Sequence, residues 1–153
     1  MRIGVISDTH GLLRPEAIAA LRGVDHILHA GDVGGSEILA ALRAIAPLTA
    51  ICGNIDAFGP CGHLPPTEFI ELAGYNIYML HDLAALDLDP AAAGISAVIS
   101  GHSHKPKIER RKGVLYFNPG SAGPRRFSLP ISLGFLELID TSITPRLVEL
   151  SVK

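Results

Sequence analysis

Seven side chains able to ligate divalent metal ions recur at the ends of apolar runs: Asp8, His10, Asp32, Asn54, His81, His102 and His104. They fall in five polar clusters: Asp8-Thr9-His10, Gly31-Asp32, Gly53-Asn54-Ile55-Asp56, His81-Asp82 and Gly101-His102-Ser103-His104. Two carboxylates, one amide and four imidazoles form a mixed oxygen and nitrogen set with no thiolate. Such a set suits manganese, iron, nickel, cobalt or zinc, whereas magnesium and calcium favour oxygen alone. Seven donors are too many for one open catalytic metal and match two ions sharing a bridging carboxylate. Two ions ~3.5–4 Å apart make hydroxide available at neutral pH and bind the attacking and leaving oxygens of a phosphate ester. With only two carboxylates, the remaining positive charge attracts an anionic phosphate.

Taken singly, each cluster has a plainer reading. An aspartate after a strand usually caps backbone amides in a turn, and Gly53-Asn54 is a turn dipeptide. The combination is what carries the metal reading, because five such clusters follow five apolar runs. The other histidines read as structural: His26 and His29 lie on or beside a strand, His29 as a support for Asp32, and His63 sits in a loop. Asp56 either holds the loop that orients Asn54 or tunes the ligands from behind. Asn118 and Ser121 lie in a Pro/Gly loop, where a turn role and an approach to the metals are equally open. Arg125 and Arg126 are candidate phosphate contacts. Phe58 and Phe127 either flank an aromatic group of the substrate or pack locally.

The elements that must position these residues alternate strand and helix. Arg2–Ser7 reads as a strand buried on both faces, Pro15–Leu21 as a helix with proline in its first turn, and Asp25–Ala30 as a strand. Ser36–Ala46 reads as a helix with Ser36 as N-cap, and Leu48–Cys52 as a third strand. This order predicts parallel strands with right-handed crossovers, with ligands at their carboxyl ends. Beyond a Pro/Gly loop over residues 57–66, Glu68–Leu72 and Asn76–Leu80 read as a hairpin joined through Ala73-Gly74-Tyr75. Asp87–Ala93 reads as a short helix and Ser96–Ser100 as a buried strand. Lys107–Arg111, Val114–Asn118, Ile131–Ile139 and Arg146–Val152 read as further strands, mostly antiparallel. The expected fold is α/β: a four-layer αββα sandwich of two mixed sheets flanked by helices, in one domain spanning 1–153.

Composition narrows the function classes. The 153 residues are 48% hydrophobic with a formal net charge of -2, which fits a folded domain and not a disordered chain. The basic residues Lys105, Lys107, Arg110, Arg111 and Lys112 are too sparse for general nucleic-acid binding. No run reaches the ~20 apolar residues of a membrane span. The N-terminus has no signal-peptide pattern, so the expected location is the cytoplasm. The two cysteines, Cys52 and Cys61, imply no disulfide framework.

The clusters resemble the pattern of the calcineurin-like metallophosphoesterases, D-x-H, G-D, G-N-x-[DE], H and G-H-x-H, in the same order. The small bacterial and archaeal phosphodiesterase branch is similar in ISDTHG at Ile6–Gly11, HAGD at His29–Asp32, GHSHKP at Gly101–Pro106 and NPGS at Asn118–Ser121. The resemblance implies that Asp8, His10 and His104 bind one metal, that Asn54, His81 and His102 bind the other, and that Asp32 bridges them. It implies hydrolysis of phosphodiesters, with monoesters as a further class, by attack of a metal-bridging hydroxide. Asn54 and His10 are the catalytic residues it implies. Two divalent ions are expected, manganese first, with nickel, iron, cobalt and zinc as alternatives. The expected partners are a small phosphoester substrate and a second or further copies in a homodimer or homotetramer, with no nucleic acid and no membrane. The rival expectation is a non-catalytic metal-binding scaffold similar to the retromer scaffold subunit, and a third is a nuclease.

One departure has a chemical consequence. Many members carry G-N-H-[DE], whose histidine can protonate the leaving group, and here Ile55 stands in that position. General acid catalysis contributes ~100- to 10,000-fold, so esters with poor leaving groups should turn over slowly and aryl phosphodiesters faster. Rates measured across leaving groups of graded pKa are expected to fall steeply as that pKa rises. A flat dependence, with chemistry rate-limiting, would contradict this.

Overall fold

Alternation along the first strand, β1 (Arg2–Ile6), sets up two cores: Ile3 and Val5 face one, Ile6 the other. The next strand, β2 (His26–His29), splits likewise, with Leu28 beside Ile3 and Val5 and with Ile27 on the side of Ile6. Helices α1 (Pro15–Leu21) and α2 (Ser36–Arg43) cover the Ile6 face with Ala17, Leu21, Ile38, Leu39 and Leu42. The other face is covered by a second sheet, through residues such as Ile77, Met79, Ile99 and Phe117.

The computed structural model describes residues 1–152. Its remaining strands are β3 (Leu48–Ala50), β4 (Thr67–Leu72), β5 (Tyr75–Leu80), β6 (Ala97–Ile99), β7 (Lys107–Arg111), β8 (Val114–Asn118), β9 (Ser132–Ile139) and β10 (Ser142–Glu149). The first sheet has the order β10-β9-β1-β2-β3 and the second β4-β5-β6-β8-β7. β1, β2 and β3 are parallel, with β9 antiparallel to β1. β5, β6 and β8 are parallel, with β4 and β7 antiparallel at the edges. This is the expected α/β sandwich of two mixed sheets.

Local differences from the sequence reading have physical causes. Helix α2 ends at Arg43, three residues early, because Pro47 disfavours helical geometry just before it. Its N-cap is Gly35; Ser36 is the first helical residue, and no side chain caps the helix. The hairpin turns on Ala73 and Gly74 alone, both with positive φ, so Tyr75 belongs to β5. The last strand begins at Ser142, earlier than expected, by pairing fully with β9.

Asp87–Ala93 is not a helix. It holds one turn, Ala93 N–H to Asp89 O at 3.0 Å, closed by Gly94 at φ 74°. Pro90 and the short run prevent propagation past that turn. The outer face of the second sheet is therefore covered by the 83–95 segment alone, with a 3-10 turn at Leu83–Ala85. Leu80, Ile95, Val98 and Val114 form a small core beneath it.

The sheets approach closely at Gly134 of β9. A β-carbon there would meet the Phe117 ring and lie 3.0 Å from the Arg146 carbonyl. Gly134→Ala is expected to cost ~1–3 kcal/mol through overpacking, read as a lower urea midpoint. An unchanged midpoint would mean the two sheets can separate without penalty.

Candidate metal centre

The carboxyl ends of β1, β2 and β3 meet those of β5 and β6 along one rim, and every sequence-predicted donor lies on the segments that follow. Asp8, His10, Asp32, His102 and His104 all have left-handed backbone, with φ between 48° and 68°. Five of the eight non-glycine residues with positive φ are thus at this rim. Aspartate and histidine tolerate that region better than most residues, and such strain gathers where function demands it. Gly53 stands directly against Asp32; a β-carbon there would collide with its carboxylate and its amide nitrogen.

Asp8 and Asp32 are buried. Asp32 Oδ2 lies 3.4 Å from His10 Nε2 and 3.3 Å from His81 Nε2, between the two halves of the site. Asp8 Oδ1 lies 3.4 Å from His104 Nε2, 3.7 Å from His81 Nε2 and 3.8 Å from His10 Nε2. Two compact donor groups result, Asp8-His10-His104 and Asp8-Asp32-His81. The first coincides with the set that the family resemblance implied for one metal. In the second, His81 is buried, whereas Asn54 and His102 sit at its solvent side, with His102 Nδ1 3.2 Å from Asn54 Oδ1. The rings of His81 and His102 are 5.2 Å apart.

His81 Nδ1 donates to the Ala30 carbonyl at 2.7 Å, which leaves Nε2 as a lone-pair donor aimed at the carboxylates. Burial pushes the Asp8 carboxyl up, but the facing His10, His81 and Ser7 outweigh it and hold it below the usual range. Burial acts the same way on Asp32, and His81 with the Ile55 amide overcomes it. Burial lowers His81, yet Asp32, the Ala30 carbonyl and Asp8 together raise it, so a cation at Nε2 would have to displace a proton that the carboxylates favour. His104 is lowered by burial, with Arg126 adding to the effect against Asp8. Asp8 Oδ1, His10 Nε2 and His81 Nε2 are buried without a hydrogen-bond partner, although each faces the others. Such orphaned donors are costly unless something binds them. A divalent cation fits: the donor set is the mixed one that transition metals prefer.

A second layer of contacts fixes the loops. His29 is fully buried; Gly31 N–H donates to its Nδ1 at 3.1 Å, so its Nε2 donates to Thr9 Oγ1 at 3.0 Å. It thereby ties the β1 loop to the β2 loop beside Asp32. Asp56 accepts from the amides of Val33, Gly34 and Gly53, each at 3.0 Å, and so clamps the loops of Asp32 and Asn54. Asn118 Nδ2 donates to the Gly101 carbonyl at 2.9 Å, and Ser121 Oγ to the Asp8 carbonyl at 3.0 Å. The Asn118–Ser121 loop therefore positions the donors' backbone.

Two contacts were not legible in the sequence: Ser7 Oγ and His102 N–H both donate to Asp8 Oδ2, at 2.8 and 3.1 Å. Asp82 caps the Ala84 amide and lies 3.8 Å from His102 Nε2. His26 meets Thr49, and His63 its own loop, both away from the donors. Phe58 and Phe127 are both exposed. Arg125 and Arg126 both line a small cleft with His10 and His104, and Arg125 also donates from one guanidinium nitrogen to Leu129 O at 3.0 Å.

Fold and donor set define the class: an α/β sandwich with a candidate metal centre where its parallel strands end. The family model of the calcineurin-like phosphoesterase superfamily domain matches residues 1–141, and the chain belongs to that superfamily. A protein of Methanocaldococcus jannaschii named probable metallophosphoesterase is 37% identical over 134 residues, 79% of this chain and 68% of that protein. One of the same name from Methanothermobacter thermautotrophicus is 34% identical over 142 residues, 85% of this chain and 82% of its own. Among solved structures, an archaeal phosphodiesterase superposes with a TM-score of 0.77 at 21% identity, covering 97% of this chain and 100% of its own. The zinc complex of Vps29 from Entamoeba histolytica gives 0.74 at 24% identity, covering 97% and 99%. At those identities the two structures speak to the fold. Among the described residues, no helix is long and apolar enough to cross a membrane.

Burial pulls the His29 pKa down from 6.5 to about 4, against the opposing pull of Asp8 and Asp56. The unfolded chain then takes the proton first, so stability present above 6.5 is lost as pH falls towards 4. In chelator-treated protein the urea midpoint is expected to drop between pH 7 and pH 5, and to drop less in His29→Gln. Equal drops in both proteins would contradict this.

Proposed function

We propose that this chain is a metal-dependent phosphodiesterase whose two-ion site is Asp8, His10, Asp32, Asn54, His81, His102 and His104. The carrying observation is the cluster of Asp8, His10, Asp32 and His81, with three buried ligand atoms that have no hydrogen-bond partner. The curated relatives named metallophosphoesterases support the same reading. Two divalent ions, manganese first among them, would supply hydroxide at neutral pH and offset the charge gathering on phosphorus.

The chain's own residues do the rest. Asp32 Oδ2, equidistant from the two imidazoles, keeps the two halves of the site in register. His10 and Asn54 line the rim where the phosphate is presented. Arg125 and Arg126, exposed beside His10 and His104, offer planar forks to a phosphate oxygen, and Arg125 is steadied by its bond to the Leu129 carbonyl. Cys52 and Cys61 are free thiols, in accord with a cytoplasmic location.

The second reading, a scaffold that holds metal without turnover, is favoured by the likeness to Vps29 structures and by Ile55 in place of a proton donor. Hydrolysis of bis(4-nitrophenyl) phosphate separates the two. With manganese, turnover is expected, and Asp32→Asn is expected to lower kcat/KM at least ~100-fold. Tight metal retention with no metal-dependent turnover would sink the phosphodiesterase and leave the scaffold.

A further inference from the structure

Because the 83–95 segment is no helix, it covers only part of the second sheet's outer face. Near the carboxyl ends of β6 and β8 that face stays open, and a cleft of ≈ 300 Å³ lies there. Its walls include Leu83, Tyr116 and Lys105, and it opens at His102, on the solvent side of the candidate metals. That volume is at the lower end of those that hold small organic ligands.

We propose that this cleft holds a flat aromatic ester arm of the substrate. This rests on the phosphodiesterase reading, since a diester carries a second arm that must lie somewhere beside the reacting phosphorus. Apolar surface from Leu83 and Tyr116 meets the ring's flat body, and aromatic faces reward such stacking. The cleft is polar where the ring's edge would lie. Ser103 stands there, its Oγ held by Asn118 Nδ2 at 3.2 Å. Lys105 is exposed, and its ammonium makes no ion pair or hydrogen bond among the described residues, so it is available to an acceptor on the ring.

The other charged groups of the cleft are already engaged. Lys107 pairs with Glu109 at 3.0 Å, Glu109 also binds Arg111, and Asp82 caps a backbone amide. A larger cleft of ≈ 550 Å³ lies on the far side of His102, with Asp82 and Asp87 in its lining and no lysine or arginine. The two clefts thus differ in charge, and the lysine-bearing one is where a ring rich in acceptors is accommodated.

The test compares esters that share 4-nitrophenol as leaving group and differ in the retained arm: methyl, phenyl, and thymidine 5′-linked. It is paired with calorimetric binding of methyl phosphate and phenyl phosphate to the manganese-loaded protein. The aromatic arms are expected to lower KM, and phenyl phosphate to bind more tightly than methyl phosphate, by about fivefold or more. Tyr116→Leu is expected to shrink both differences, and Lys105→Ala to shrink only the advantage of the thymidine ester, whose ring carries carbonyl acceptors, with kcat/KM on the methyl ester unchanged in both. Equal binding of the two phosphates by the wild-type protein, or a preference untouched by both variants, overturns the cleft assignment. Tighter binding of phenyl phosphate without hydrolysis of any ester would uphold the cleft and defeat the phosphodiesterase reading. Hydrolysis with no arm preference would do the reverse.

Discussion

Two buried carboxylates that stay ionised are the constraint on which this structure turns. Asp8 and Asp32 face one another across His10 and His81, and their pKa values are held below the usual range. No lysine or arginine lies within salt-bridge distance of either one among the described residues. Two like charges removed from water need compensation, and here it comes from His10, His81, Ser7 and the Ile55 amide. The divalent cations of the proposed site would add to it.

Holding them requires backbone that most residues avoid. Five donors sit at positive φ, and each such residue costs on the order of 1–3 kcal/mol unless its surroundings impose it. The surroundings here do impose it. Asp56 takes three amides from the loops after β2 and β3, His29 ties the loop after β1 to the loop after β2, and Ser121 reaches back to the carbonyl of Asp8. Beneath them the three parallel strands of the first sheet and those of the second are packed through Ile3, Val5, Leu28, Met79, Ile99 and Phe117. A one-residue slip in any strand would turn a donor away from the rim, so core packing and metal geometry are one specification.

Much of this was legible in the sequence, for a physical reason. Polar clusters after apolar runs are what strand ends look like, and in α/β folds strand ends are where ligands bind. The parallel β-α-β-α-β half followed from hydrophobic runs and from Pro15 at the head of α1. What failed depended on context. Asp87–Ala93 has helical composition but too few residues to propagate a helix past Pro90. Ser36 is a good capping residue, yet Gly35 took the position because the chain enters the helix extended there. The exposed placing of Asn54 and His102, the meeting of Arg125 and Arg126 with His10 and His104, and the Ser7 contact to Asp8 are set by tertiary packing. No local pattern encodes them. For Asp56 the sequence left two roles open, and three amide contacts settle that it clamps the loops.

The central claim is that the buried anions are built for a pair of cations. Elemental analysis of the wild-type protein, loaded with manganese and then desalted, measures this without reference to any substrate. Two ions per chain are predicted, falling to one or fewer when Asp32 is replaced by asparagine. A wild-type chain that retains no divalent ion after loading would contradict the account at its root.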